Sequence, residues 1–143
     1  MQLHTDDDAF IRAPAGLVYR LLTDIGSWPG WWPGTRADRV EDVDGEAWEL
    51  RLGSRLRVDA VPGDWRHDEG FRLSVTGDLD GVLEFWLEPT DGGTVVHVIL
   101  HADTAARRPL RDLARFRRAV RAGLWSFKDE VQGQLRTALE GLS

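Results

Sequence analysis

The last third of this sequence has the pattern of one long amphipathic helix, and the rest of the chain must cover its apolar side. Apolar residues recur at helical spacing from Pro109 to about Glu140, which at the usual rise gives a helix of ~48 Å. Gly123 interrupts the apolar stripe on its inner side, and Gly141 ends the helix. The stripe consists of Leu113, Phe116, Val120, Leu124, Phe127, Val131, Leu135 and Leu142.

Residues 35–103 provide a surface for that stripe, because apolar and polar residues alternate there almost without interruption. A period of two predicts strands with one buried face. The clearest runs are 48–52, 56–60, 71–75, 83–87 and 96–100. A meander of this kind, followed by one long helix, predicts a single α+β domain over residues 1–143, with an antiparallel sheet packed along the helix.

The connections around these strands are also predictable from the sequence. A first strand is expected over 8–13, followed by a short helix over about 14–24, where Pro14 suits the first turn. A three-residue loop, 79–81, is expected to hold Gly81 in the left-handed conformation and to set the strand register. A two-residue turn at Gly53-Ser54 would put Leu50 opposite a polar residue, so a longer loop or a bulge is expected there.

Composition excludes several classes of function. The net charge of −6 disfavours general nucleic-acid binding, which needs surplus Lys and Arg. No apolar run approaches the roughly 20 residues of a membrane-spanning helix. The polar N-terminus has no secretory signal pattern, and the absence of cysteine suits a reducing compartment, so we expect a cytoplasmic protein. Nothing in the sequence indicates a cofactor.

The segment 28–34 combines three of the seven tryptophans with two Pro-Gly pairs. It is too short and too rich in Pro and Gly to form more than one helical turn. Trp28, Trp31 and Trp32 are expected either to form a movable lid or to plug one end of the sheet as part of the core. Both alternatives remain open from the sequence.

The order of these parts resembles the START/Bet v 1-like (SRPBCC) superfamily, often called polyketide cyclase/dehydrase and lipid-transport proteins. The residues that carry the resemblance are Ile11-x-Ala13-Pro14, Val18-Tyr19-x-Leu21-Leu22-x-Asp24, Trp28-Pro29-x-Trp31, Gly77-x-Leu79-x-Gly81, Leu87-x-Pro89, Gly93-Thr94-x-Val96 and Gly123-Leu124. The resemblance implies a helix-grip fold, in which a curved seven-stranded antiparallel sheet and two short helices clasp the long helix over a cavity. Members bind lipids, sterols, polyketides and hormones, and some catalyse cyclisation.

A cavity between helix and sheet is therefore expected, with a volume of about 300–1,000 Å³, as is typical of ligand pockets. Our lead hypothesis is the binding or transport of a hydrophobic small molecule, lipid or polyketide-like, in that cavity. The residues expected to line it are Tyr19, Trp28, Trp31, Trp32, Thr35, Leu50, Leu52, Leu56, Val58, Val75, Phe85, Val98, Phe116, Arg117, Val120, Arg121 and Leu124.

Two alternatives remain, an enzyme of the polyketide cyclase/dehydrase kind and a co-chaperone-like interaction domain. Aromatase/cyclase members of the superfamily use a Tyr beyond the Trp-rich segment, and a Ser and an Arg on a later strand. The matching positions here are Thr35, Val58 and Ala60, which supply neither an acid/base pair nor a cation. This departure leaves the catalytic residues unknown and disfavours aromatase-type chemistry.

Histidine spacing gives no metal site. His97 and His101 share one strand face but lie about 13 Å apart, which is too far for one ion. His4 and His67 are isolated in the sequence. We expect surface roles for all four.

Seven arginines and a single acid lie within 107–121, in a chain that is otherwise acidic. Three explanations are open: salt bridges to the rest of the chain, recognition of an anionic ligand group by Arg117 and Arg121, or an acidic partner such as an acyl carrier protein. On the outer sheet face, Trp86, Val95 and Ile99 predict a homodimer or a covering segment.

Overall fold

The computed structural model describes residues 1–42, 45–53 and 55–142. Its strands are β1 Gln2–Ile11, β2 Arg36–Asp42, β3 Gly45–Leu52, β4 Leu56–Arg66, β5 Gly70–Gly77, β6 Asp80–Thr90 and β7 Gly93–Asp103. The helices are α1 Ala15–Leu22, a 3-10 helix Ile25–Gly30 and α2 Pro109–Glu140. None of the helices in the described ranges is both long and apolar enough to cross a membrane.

The seven strands form one antiparallel sheet in the order β1-β7-β6-β5-β4-β3-β2. Strands β2 to β7 form a meander, so each pairs with its neighbours in sequence. Strand β1 pairs instead with β7, and α1 and the 3-10 helix carry the chain from that edge to β2 at the other. The predicted α+β helix-grip fold, with its curved seven-stranded sheet, two short helices and long C-terminal helix, is confirmed.

The start of the chain differs from the sequence prediction. Strand β1 covers Gln2–Ile11 rather than 8–13, and it pairs with β7 along its whole length. Leu3, Thr5 and Asp7 are its buried residues near the N-terminus. Because two of these three are polar, they hide the alternation that otherwise identifies a strand with one buried face.

The β5–β6 connection keeps the predicted shared face of Phe71 and Phe85 but not the predicted three-residue loop. Phe71 pairs with Phe85 and Val75 with Gly81, whereas a loop over 79–81 would set Val75 opposite Phe85. The glycine with positive φ is Gly77, at 118°, and not Gly81. A Cβ on Gly81 would instead collide with the carbonyl oxygen of His101 on the neighbouring strand. Gly81 is therefore needed for close approach of two strands and not for a left-handed turn.

The β3–β4 connection is longer than a two-residue turn, as expected, because β3 ends at Leu52 and this residue pairs with Leu56. Gly53 has a φ of 60°. Ser54 lies outside the described residues. A Cβ on Gly53 would come within 2.6 Å of Ala119 on α2, so this connection passes close to the long helix.

The inner face of the sheet packs on α2 through the predicted stripe. Its buried members are Phe116, Val120, Leu124, Phe127 and Val131. Leu142 does not belong to the stripe, since α2 ends at Glu140 and the Leu142 residue is 84% exposed.

The outer face is covered at Trp86 by the chain itself. The guanidinium groups of Arg66 and Arg72 lie 5.8 and 5.7 Å from its ring centroid. Arg72 also forms an ion pair of 2.6 Å with Glu84. A covering group is therefore present over this indole, and the homodimer stays a prediction.

We expect Gly70→Ala to lower the free energy of unfolding by about 2–3 kcal/mol. Gly70 has a φ of 151°, and an added Cβ would collide with the Phe85 carbonyl oxygen and the Trp86 indole. Gly133→Ala is the control, because its Cβ has no neighbour within 4 Å. That change should raise stability by about 0.5–1 kcal/mol through helix propensity. Urea denaturation measures both, and equal effects would contradict the close approach at Gly70.

Candidate functional site

The Trp-rich segment lies between α2 and the inner face of the sheet. Trp28, Trp31 and Trp32 are 0%, 7% and 2% exposed, so they are core residues and not an external lid. Proline is tolerated at position 29 within the short 3-10 helix, and Gly34 turns the chain toward β2 with a φ of 73°. The sequence left open whether these indoles form a movable lid or part of the core. In the structure they are part of the core.

The indoles form a continuous aromatic cluster with both layers. Trp28 lies 5.2 Å from Phe85 on the sheet, and Trp31 lies 4.7 Å from Phe127 on α2, measured between ring centroids. Trp31 and Trp32 are stacked, with centroids 5.9 Å apart and planes at 15°. A Cβ on Gly123 would come within 3.0 Å of the Trp32 ring, so the missing side chain at this position of α2 makes room for the indole.

The space left beside these indoles is a pocket of about 10 Å³. It is lined by Leu22, Trp31, Trp32, Phe85, Val98, Val120 and Leu124. One ordered water needs at least ~10–15 Å³ and two or more polar partners. The expected open volume of 300–1,000 Å³ is therefore wrong for this conformation, because the indoles occupy the space.

Two of the three buried indoles have an unpaired donor. Trp28 Nε1 donates to the Leu22 carbonyl oxygen at 2.8 Å. The Nε1 groups of Trp31 and Trp32 are buried and have no acceptor. Within residues 1–42, 45–53 and 55–142, no other buried side-chain nitrogen or oxygen lacks a partner. An unmade hydrogen bond of this kind costs about 1–3 kcal/mol.

The other residues predicted to line the cavity are distributed unequally. Those that the pocket brings together are Trp31, Trp32, Phe85, Val98, Val120 and Leu124. Those that belong to the surrounding buried core are Trp28, Leu50, Leu52, Leu56, Val58, Val75 and Phe116. The sequence prediction missed Leu22, although its place in the apolar stripe of α1 was a usable signal.

The two uncharged polar residues predicted to line the cavity have structural contacts. Thr35 is buried, and its hydroxyl accepts the backbone N–H of Gly53 at 3.5 Å. Tyr19 is half-buried, with its ring edge-on to His67 at 5.4 Å. Burial, followed by the nearby Asp68 carboxylate, raises the pKa of the Tyr19 hydroxyl. Neither residue lines this pocket.

Arg117 and Arg121 bind a carboxylate of their own chain. The Asp7 carboxylate accepts hydrogen bonds from Nε and Nη2 of Arg117, at 3.3 and 3.2 Å, and from Nε of Arg121 at 3.2 Å. Asp7 is 6% exposed, and its hydrogen bond raises the pKa of Arg117. Salt bridging is thus the explanation that holds for these two arginines, which tie α2 to β1 instead of pointing into the pocket.

Three of the five remaining arginines of 107–121, Arg111, Arg115 and Arg118, lie together with Arg55, and their charges repel one another. The pKa of Arg115 is lowered, chiefly by the charge of Arg111 and then by burial, Arg55 and Arg118. No described carboxylate forms a salt bridge with these four residues. An acidic partner for this surface stays a prediction, and its identity as an acyl carrier protein has no support in the geometry.

The histidines have partners across strands that sequence spacing did not reveal. His4 and His101 are register partners, with Nδ1 atoms 3.1 Å apart. His97 lies beside Asp6 and Asp8, with one ligand atom of each within 4.8 Å of the others, and its Nε2 is 3.0 Å from Glu88. Spacing along one strand does not reveal these contacts. The pairing of β1 with β7 brings His101 to His4 and His97 to Asp6 and Asp8, and the pairing of β6 with β7 brings Glu88 to His97.

The seven-stranded sheet that clasps one long helix over an apolar interior defines a helix-grip protein. The model of the family described as polyketide cyclase/dehydrase and lipid transport matches residues 2–132. The chain belongs to this family. No curated protein matches the sequence.

Solved structures with the same fold are distant in sequence. The Zhui aromatase/cyclase from a Streptomyces species is 18% identical, with a TM-score of 0.75 over 96% of this chain and 98% of that one. A START superfamily protein from Mycobacterium smegmatis is 11% identical, with a TM-score of 0.71 over 92% and 98%. The Aha1 dimer from Colwellia psychrerythraea is 19% identical, with a TM-score of 0.64 over 90% and 96%. At these identities the similarity shows the fold alone.

We expect Asp7→Asn to lower the free energy of unfolding by about 1–2 kcal/mol, with a smaller loss at high salt. The buried carboxylate loses its charge, and water compensates in part because the Arg117 and Arg121 side chains are 38% and 61% exposed. Asp8→Asn is the matched control on the opposite, exposed face, with an expected change within about 0.5 kcal/mol. Urea denaturation of both variants at two salt concentrations checks this, and similar losses would mean that the Asp7 contacts add little.

Proposed function

We propose that this protein binds a hydrophobic small molecule, lipid or polyketide-like, between α2 and the sheet, in space that opens when the Trp31 and Trp32 indoles shift aside within the interior. The observation that carries the proposal is the small pocket, which is lined by Leu, Val, Phe and Trp side chains and is filled from one short segment. Sheet and helix supply the remaining walls. A shift of the two indoles would leave an apolar space open between two fixed layers, with the indoles still among its walls.

The framework around the pocket is held independently of those indoles. The sheet is continuous through its strand ladders, and Asp7 connects β1 to Arg117 and Arg121 of α2. The Trp-rich segment has a 3-10 helix without side-chain caps and ends in a left-handed glycine. A ligand that fills the space beside the shifted indoles buries apolar surface there, so binding conserves most of the hydrophobic free energy.

An interaction domain without a ligand is the second candidate, and the filled interior is the observation that favours it. A cyclase is the weaker reading, because Thr35, Val58 and Ala60 are buried without any group that transfers a proton at neutral pH. A cytoplasmic location is part of the proposal and rests on the lack of cysteine in the sequence.

We expect saturable binding of a naphthalene-type dye with micromolar affinity, and tighter binding by Trp32→Ala. This variant removes the indole beside Gly123, at a cost of about 3–5 kcal/mol in stability, and leaves space for the dye. Trp125→Ala is the control, because Trp125 is 67% exposed on α2 and should change neither quantity. Fluorescence titration measures the dye affinity of each variant, and circular dichroism checks that each variant is folded.

Two results would overturn the proposal. One is the absence of saturable binding by both the folded wild type and the folded Trp32→Ala variant. The other is binding that Trp125→Ala removes, since that would place the dye on the surface of α2. If Trp32→Ala does not fold, Trp32→Phe creates a smaller space and tests the same expectation.

A further inference from the structure

We infer that the unpaired Nε1–H groups of Trp31 and Trp32 make the pocket selective for an uncharged apolar molecule that carries a carbonyl oxygen. The inference rests on the proposed function and specifies its ligand class. It assigns to these two residues a recognition role in addition to filling the interior.

The first step concerns the environment of the two donors. Both indoles line the same pocket, and the other lining residues are Leu22, Phe85, Val98, Val120 and Leu124. None of these has a side-chain acceptor. The neighbouring Trp28 is an internal contrast, because its Nε1 has the Leu22 carbonyl oxygen as partner. The fold is thus able to provide an acceptor for a buried indole N–H in this segment, and it does so for one of the three indoles.

The second step excludes the two ordinary explanations for unpaired donors. Packing alone does not require the two N–H groups, each of which costs about 1–3 kcal/mol when it is buried without an acceptor. An ordered water is unsuitable, because a pocket of about 10 Å³ with apolar walls has neither the volume nor the two to four polar partners that water needs. An acceptor oxygen on a ligand between the shifted indoles would supply the partner that these donors lack, and the rest of such a ligand would suit the apolar lining.

The third step concerns the charge of that oxygen. No charged side chain lines the pocket. The two nearest candidates by sequence, Arg117 and Arg121, both donate to Asp7 and line the β1 side of α2. A carboxylate would lose its hydration and receive only two neutral donors, whereas a ketone or ester loses far less on desolvation. The geometry therefore favours a neutral carbonyl over a carboxylate.

A set of three naphthalenes of similar shape tests this inference. They are 2-acetylnaphthalene, its hydrocarbon isostere 2-isopropenylnaphthalene, and 2-naphthoate. Affinities are measured by titration calorimetry at neutral pH for the wild type, Trp31→Phe, Trp32→Phe and the exposed control Trp125→Phe. The quantity compared is the ratio of ketone to hydrocarbon affinity, because the ratio between variants cancels the different hydration of the free ligands.

We expect the ratio to fall about 3–10-fold in Trp31→Phe or Trp32→Phe, the equivalent of one lost hydrogen bond, and to stay unchanged in Trp125→Phe. The naphthoate should bind more weakly than the ketone to the wild type. In NMR spectra of the wild type, the ketone should shift the Nε1–H resonances of Trp31 and Trp32 downfield. The Trp28 resonance should move less, since its hydrogen bond to Leu22 already exists. The NMR measurement needs no variant, so it decides the question even if a substitution prevents folding.

The outcomes separate this inference from the proposed function. If the hydrocarbon binds while the ratio is the same in all variants and no indole resonance shifts downfield, the carbonyl preference is wrong and apolar binding stands. Tighter binding of the naphthoate would also overturn the preference for a neutral group. If none of the three compounds binds to the folded protein, the proposed function itself fails.

Discussion

The apolar side of α2 must be buried along most of its 32 residues, and this requirement organises the rest of the structure. No second long helix exists in the described chain to cover it, so the inner face of the curved sheet does so. A curved sheet and a straight helix do not match in shape along their whole length, and the gap between them has to be filled. In this protein, the filling comes from Trp28, Trp31 and Trp32, whose segment connects α1 to the far edge of the sheet.

The way in which the gap is filled gives the interior its particular character. Large indoles bury much apolar surface, but each carries one polar N–H that needs an acceptor. Trp28 has one, whereas Trp31 and Trp32 do not, and their immediate surroundings are apolar. The interior is therefore well packed, but two of its hydrogen-bond donors have no acceptor. This combination of an apolar interior with two unpaired donors is the basis of the proposed ligand binding.

The charged residues of α2 and β1 lie apart from this apolar interior. Asp7 of the edge strand β1 is buried and accepts hydrogen bonds from Arg117 and Arg121 of α2. The helix is therefore fixed to the sheet by hydrogen bonds as well as by packing. Arg111, Arg115 and Arg118 remain together on the helix surface with Arg55. Their proximity lowers the pKa of Arg115, chiefly through the charge of Arg111. The positive charge of the 107–121 segment is thus divided between a structural contact and an exposed group, and neither part reaches the apolar pocket.

Periodicity in the sequence determined the long helix, apart from the place of Leu142, the meander of β3 to β7 and the shared face of Phe71 and Phe85, because these depend on local spacing. Tertiary structure alone decided what depends on partners far apart in the chain. The pairing of β1 with β7 put polar Thr5 and Asp7 inside and joined His97 to Asp6 and Asp8. The sequence also could not show whether the space beneath α2 is open or filled. This depends on where three indoles pack, and the packing of side chains in a shared interior leaves no periodic pattern in the sequence.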